Sequence, residues 1–126
     1  MLLLTQLNLA EDYWVVSLGN KYREYVREAY GRQVFEHECG FASYSIKDKY
    51  CIIHDMYVEP ESRNMKVGSE MADQIKAITK NEGCERMVCI IDKRNMQYDN
   101  SIKAIQGYGF RVIDNEGLYT TLERDI

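Results

Sequence analysis

Val58–Ala72, VEPESRNMKVGSEMA, and Asn100–Val112, NSIKAIQGYGFRV, are the two stretches that decide how this chain folds. The first leaves an apolar strand at Pro60, crosses a polar loop and opens a helix near Gly68 and Ser69. The start of a helix presents unpaired backbone N–H groups and the positive end of the helix dipole, so a strand–loop–helix unit of this kind suits a pyrophosphate. The second stretch is a short helix closed by Gly109-Phe110 directly before another strand.

Working outward, the apolar spacing predicts one helix from about Ala10 to Tyr30, carrying Leu18, Tyr22, Tyr25, Val26 and Ala29 and ended by Gly31. Leu2–Thr5 reads as a short first strand, and Asn8 with Glu11 has capping-box spacing. Three strands follow: Val34–Glu36, Phe41–Ile46 and Tyr50–Val58, the last two joined by a turn at Lys47-Asp48-Lys49. Their short loops require antiparallel pairing. Val67, Met71, Ile75 and Ile78 mark a helix ending before Gly83, and the apolar run Arg86–Ile91 predicts a strand buried on both faces. A strand–helix–strand unit of this length implies a parallel crossover. Asp99 or Asn100 is expected to cap a helix bearing Ile102 and Ile105, and Phe110–Ile113 with Leu118–Leu122 form a closing hairpin. The fold class is therefore mixed α+β, a mixed and mostly antiparallel sheet flanked by helices, read as one domain over residues 1–126.

Composition narrows the function. With 29% charged and 45% hydrophobic residues, the chain has the profile of a globular protein. A net charge of −4 argues against binding nucleic acid through phosphate neutralisation. No apolar run is long enough for a membrane span, and Met1-Leu-Leu-Leu lacks the basic region of a signal peptide. Cys39, Cys51, Cys84 and Cys89 form no C-x-x-C pair and read as reduced thiols in a cytoplasmic protein. His37 and Cys39 share a strand face, but with two histidines in the chain and no second ligand pair, no metal site is expected.

In element order and in these two segments, the chain resembles the Gcn5-related N-acetyltransferase (GNAT) superfamily over nearly its whole length. Four features depart from the family pattern. Lys66 stands where the loop Arg63-Asn-Met-Lys-Val-Gly68 usually has glycine, and Ile105 stands where a tyrosine usually protonates the departing thiolate. Tyr98 occupies the place of the usual asparagine, and the N-terminal part is shorter by a helix. The resemblance implies acetyl-CoA as donor and a fold whose central parallel strands splay apart to receive it. Met56, Tyr57 and Val58 would face the pantetheine arm and acetyl group. Arg63, Asn64, Met65, Lys66, Val67, Gly68 and Ser69 would hold the pyrophosphate, and Ser101 with Asn95 or Asn100 the far side of the cofactor.

An amine must lose a proton to attack a thioester, and the departing thiolate can gain one. Asp55 and His54 are the candidate bases, and strand alternation predicts that at most one of them faces the site. Tyr108, one turn beyond Ile105, and Tyr119 are the candidate acids, while Glu36, His37 and Glu38 are candidates for lining the acceptor cleft. The cysteines suggest no covalent intermediate, so direct attack in a ternary complex is expected. The acceptor is an amine-bearing small molecule or protein, with a macromolecular partner or a homodimer completing an open acceptor side. The other reading is a degenerate relative that binds CoA, or nothing, without turnover, including a small-ligand sensor.

Overall fold

A computed structural model describes residues 21–126. The expected strand at Leu2–Thr5, the Asn8/Glu11 capping box and the start of the first helix lie outside the described residues. The chain divides into two compact units, Met1–Val34 and Phe35–Ile126. In the first, residues 21–30 are helical (α1). The helix ends as the sequence predicts: Gly31 takes φ +68°, its N–H donates to Arg27 at 2.9 Å, and the Arg32 N–H reaches back to the Val26 carbonyl. The Gly31 bond is the 5→1 closure of an αL cap, which needs a left-handed residue that glycine supplies without strain.

The remaining elements are β1 (Gln33–His37), β2 (Gly40–Lys47), β3 (Tyr50–Val58), α2 (Val67–Asn81), β4 (Arg86–Asp92), α3 (Tyr98–Gly107), β5 (Arg111–Asp114) and β6 (Tyr119–Asp125). Each matches a predicted element to within a few residues. Among the described residues, six strands form one sheet in the order β1-β2-β3-β4-β6-β5. The β3–β4 pair is parallel, whereas β2–β3, β4–β6 and β5–β6 are antiparallel.

Val67, Met71 and Ile75 of α2 pack with Ala42, Tyr44, Cys51, Ile53, Met87, Cys89, Phe110 and Leu122. Ile102, Ile105 and Tyr108 from α3 and its end pack against the same cluster. Burial of Met71, Ile75, Met87 and Leu122 is complete, and each such side chain contributes about 2–3 kcal/mol. Of the four cysteines, three are buried and Cys39 is half-buried. Burial pushes the Cys51 thiol up to about 11 and the Cys89 thiol up to about 12.

Two expectations are corrected. The apolar run of β4 is not buried on both faces: Met87 and Cys89 face the core, but Ile90 is 44% exposed, because β3 leaves its side at that level. Neither Asp99 nor Asn100 caps α3. The N-cap position falls on Gln97, with no side-chain cap bond, because Asn95 already organises the turn two residues earlier: its Oδ1 accepts the Gln97 N–H at 2.8 Å.

Leu122 joins β6 to the core beneath the β4–β6 ladder. Leu122→Ala is expected to lower unfolding free energy by about 2–5 kcal/mol, measured by urea denaturation, without a change in the urea dependence.

Candidate acyl-transfer site

The parallel ladder between β3 and β4 runs from Tyr50↔Arg86 to Ile53↔Cys89 and ends there. Both strands continue, but each with its other neighbour. β3 stays paired with β2 up to Gly40↔Val58, and β4 stays paired with β6 up to Asp92↔Tyr119. The sheet is thus open between His54–Val58 and Ile90–Asp92. Backbone groups on those facing edges need partners from elsewhere, which an extended ligand can supply as a pseudo-strand.

A bulge accompanies the opening. Ser43 pairs with Asp55 and Tyr44 with Ile53, so His54 is the extra residue on β3. A bulge bends its strand and interrupts the alternation of side chains. Consequently the strand alternation that would put His54 and Asp55 on opposite faces does not hold here. His54 Nε2 lies 2.7 Å from Ser45 Oγ, and Asp55 Oδ2 accepts from Ser43 Oγ at 2.9 Å. Ser43 and Ser45 are two apart on β2 and share a face, opposite to that of Ala42 and Tyr44, which belong to the α2-covered core. Both candidate bases therefore reach the same face.

The strand end, the loop and α2 are brought together. Arg63 Nε donates to the Val58 carbonyl at 2.9 Å, and its guanidinium lies 5.8 Å from the Tyr57 ring centroid. A Cβ built on Gly68 would meet Met56 Sδ at 3.4 Å. Met56, Tyr57 and Met65 are exposed, as are Asn64, Lys66 and Ser69, while Val67 is buried in the core. Lys66 is the N-cap of α2 with φ +64°, and no side chain caps the helix. This explains the usual glycine there: the turn into α2 needs a left-handed residue, a conformation that costs a lysine about 1 kcal/mol. Asn64 has φ +67°, which asparagine tolerates well.

The N-terminal end of α3 lies at the carboxyl ends of the parallel strands, as does that of α2. Asn95 and Asn100 bind Gln97 through their side chains, and Ser101 is half-buried in the first turns of α3. Thr120, buried and opposite Ile91, donates to Asn115 Oδ1 at 2.8 Å. Its single proton is thereby committed, so the Tyr98 hydroxyl, 2.7 Å away, donates to it.

Tyr108 is not brought to this end. It caps the opposite, C-terminal end of α3, and its hydroxyl donates to Asp73 at 2.5 Å. Burial, and then Asp73, push its phenol well above the ordinary range. Tyr119, 49% exposed, sits opposite Asp92 at the rim. His37 accepts the Cys39 N–H at Nδ1 and therefore turns a protonated Nε2 to Glu70 of α2 at 3.2 Å. The hydrogen-bonding roles of Ser43 and Ser45 were missed from sequence. The only signal is the Ser-x-Ser spacing across from His-Asp, which becomes meaningful once the register is known.

An open sheet with two helix starts at the carboxyl ends of its parallel strands is an architecture for an extended, phosphate-bearing ligand. The chain belongs to the acetyltransferase (GNAT) family, whose model matches residues 5–110. No curated protein is significantly similar in sequence. Among solved structures, the PaiA N-acetyltransferase of Thermoplasma acidophilum in complex with coenzyme A is similar at 21% identity and TM-score 0.66, over 92% of this chain and 74% of that one. Ard1 of Thermoplasma volcanium is similar at 20% identity and TM-score 0.60, over 70% of this chain and 63% of that one. Nourseothricin acetyltransferase is similar at 17% identity and TM-score 0.60, over 69% and 57%. The chain thus spans less than two thirds of the length of the last two.

Two outcomes are expected. Lys66→Gly should raise stability by about 1 kcal/mol in chemical denaturation, by relieving the left-handed lysine. At the end of β4, hydrogen bonds from the Arg94 side chain and then its backbone hold the Asp92 carboxyl down to about 2. Carbon-detected titration should find its midpoint there, and Arg94→Ala should raise it only part of the way to the ordinary carboxylate range, because the backbone N–H of residue 94 still donates to Asp92.

Proposed function

We propose that the protein is an N-acetyltransferase that moves an acetyl group from acetyl-CoA to a primary amine by direct attack in a ternary complex. The observation that carries this reading is the end of the β3–β4 ladder at Ile53↔Cys89, with the uncapped start of α2 beside it. The residues present fit the cofactor. The first turn of α2 offers N–H groups that no side chain caps, and Gly68 keeps a Cβ off their approach. Arg63 to Ser69 would take the pyrophosphate, Met56 to Val58 the pantetheine, and Ser101 with Asn95 or Asn100 the far side. Acetyl-CoA supplies an activated carbonyl and a thiolate leaving group.

The chain's own contribution is to orient and to accept a proton. Asp55 and His54 lie just past the last residue of β3 that pairs with β4 and are the groups available to deprotonate an ammonium. No tyrosine occupies position 105, and the Tyr108 proton is held by Asp73, so the thiolate's proton comes from Tyr119 at the rim, from the attacking nitrogen or from water. The similar structures bear the names of different acetyltransferases, and the fold does not choose the acceptor. A small molecule and a protein amine, with a second copy of the chain completing the acceptor side, are both compatible with this reading. A cytoplasmic setting is supported by the four free thiols. Lys66 and Ile105 favour one other reading, a relative that keeps the fold and binds CoA without turnover.

Calorimetric titration with acetyl-CoA tests the reading. Micromolar binding is expected, weakened by about tenfold or more in Gly68→Asp through like-charge repulsion. The substitution leaves the fold intact, because a Cβ there meets only the end of a flexible methionine. Equal affinity in parent and variant would show that the loop is not the phosphate site. Binding without thiol release on any amine would select the non-catalytic reading.

A further inference from the structure

The bulge gives β2 a role that lies outside the cofactor loop. Ser43 is fully buried and its hydroxyl proton goes to Asp55 Oδ2. Ser45 is half-buried and meets His54 Nε2 at 2.7 Å. Each serine thus engages one of the two titratable side chains that the bulge turns onto a single face. Neither serine is exposed at the surface, so these are built contacts rather than chance pairings of solvated side chains.

We infer that Ser43 and Ser45 are positioning residues that make Asp55 and His54 a cooperating pair on the acceptor side, rather than alternative bases. The inference rests on the acyl-transfer reading. Asp55, held as an acceptor by Ser43, is the anion that draws the ammonium form of the acceptor. His54, its Nε2 held 2.7 Å from Ser45 Oγ, accepts the proton, and the serine hydroxyl, which can donate to the neutral ring or accept from the protonated one, keeps the ring in place as the imidazolium forms. The balance closes. One proton passes from the ammonium to His54, and the C–N bond forms as the C–S bond breaks. A second nitrogen proton leaves on sulfur as the free thiol, and His54 returns its proton to water. The acceptor accordingly arrives as a charged ammonium.

The test compares the parent protein with Ser45→Ala, Ser45→Thr and Ser43→Ala. Acetyl-CoA affinity is followed by calorimetry. Thiol release is followed with spermidine and with a short peptide bearing a free N-terminus and a lysine. Ser45→Ala should lower kcat by roughly tenfold with acetyl-CoA affinity unchanged, and Ser45→Thr, which keeps the hydroxyl, should recover most of it. Ser43→Ala should raise KM for the amine and leave acetyl-CoA affinity unchanged. An unchanged kcat in Ser45→Ala overturns the inference, as does a threonine variant no better than alanine. Acetyl-CoA binding by the parent without thiol release on either acceptor also overturns it. Failure of the parent to bind acetyl-CoA would instead remove the acyl-transfer reading itself, and the inference with it.

Discussion

One extra residue in one strand organises this molecule. β3 must pair with β2 on one side and β4 on the other, and it manages both only up to Ile53. At His54 the register against β2 slips by one, the strand bends, and its pairing to β4 stops. Bending and opening therefore have a common origin. β2 and β6 hold the outer sides of β3 and β4 through to their ends, so the gap between them is framed on both sides by intact ladders. Gly40 marks how tightly the outer frame is drawn, since a Cβ there would lie 2.0 Å from the Tyr57 carbonyl oxygen. No other residue fits at that point of the ladder without moving the strand.

The second half of the site is built from backbone rather than side chains. α2 begins without a side-chain cap, on a left-handed lysine, and its first turn follows a loop pinned to β3 by Arg63. Such an arrangement is unfavourable in isolation: it leaves polar groups unmet and a backbone angle strained. Helix 2 tolerates it because Val67, Met71 and Ile75 are anchored in the core. Stability from packing thus offsets a helix start shaped for something other than stability.

Most of the architecture was legible in the residues. Apolar spacing at Val67, Met71 and Ile75, the glycines at 31 and 83, and the turn at Asp48 each correspond to a local physical demand, and the structure meets each one. The parallel pairing of β3 with β4 followed from the helix between them. What escaped was set by tertiary context. A bulge has no composition of its own, so His54 and Asp55 read as ordinary alternating residues. Lys66 gave no sign of a left-handed backbone, because the position is normally recognised by the glycine it lacks. Ile90 belonged to a run that looked wholly buried, and only the departure of its neighbour strand exposes it. The cap of α3 falls on neither Asp99 nor Asn100 because Asn95 organises the turn before them and leaves the N-cap position to Gln97.

The cysteines carry a practical consequence. Cys51, Cys84 and Cys89 are enclosed in apolar surroundings that keep them as thiols, and alkylating reagents act on thiolates. Cys39 is less enclosed and ends the turn before Gly40, where its carbonyl receives the Glu59 N–H just beyond β3. A maleimide fluorophore applied to the native chain should therefore label one position, and that position is a hydrogen bond away from the strand that forms one wall of the opening. The molecule comes with its own reporter for the movement of that wall, without the removal of a single residue.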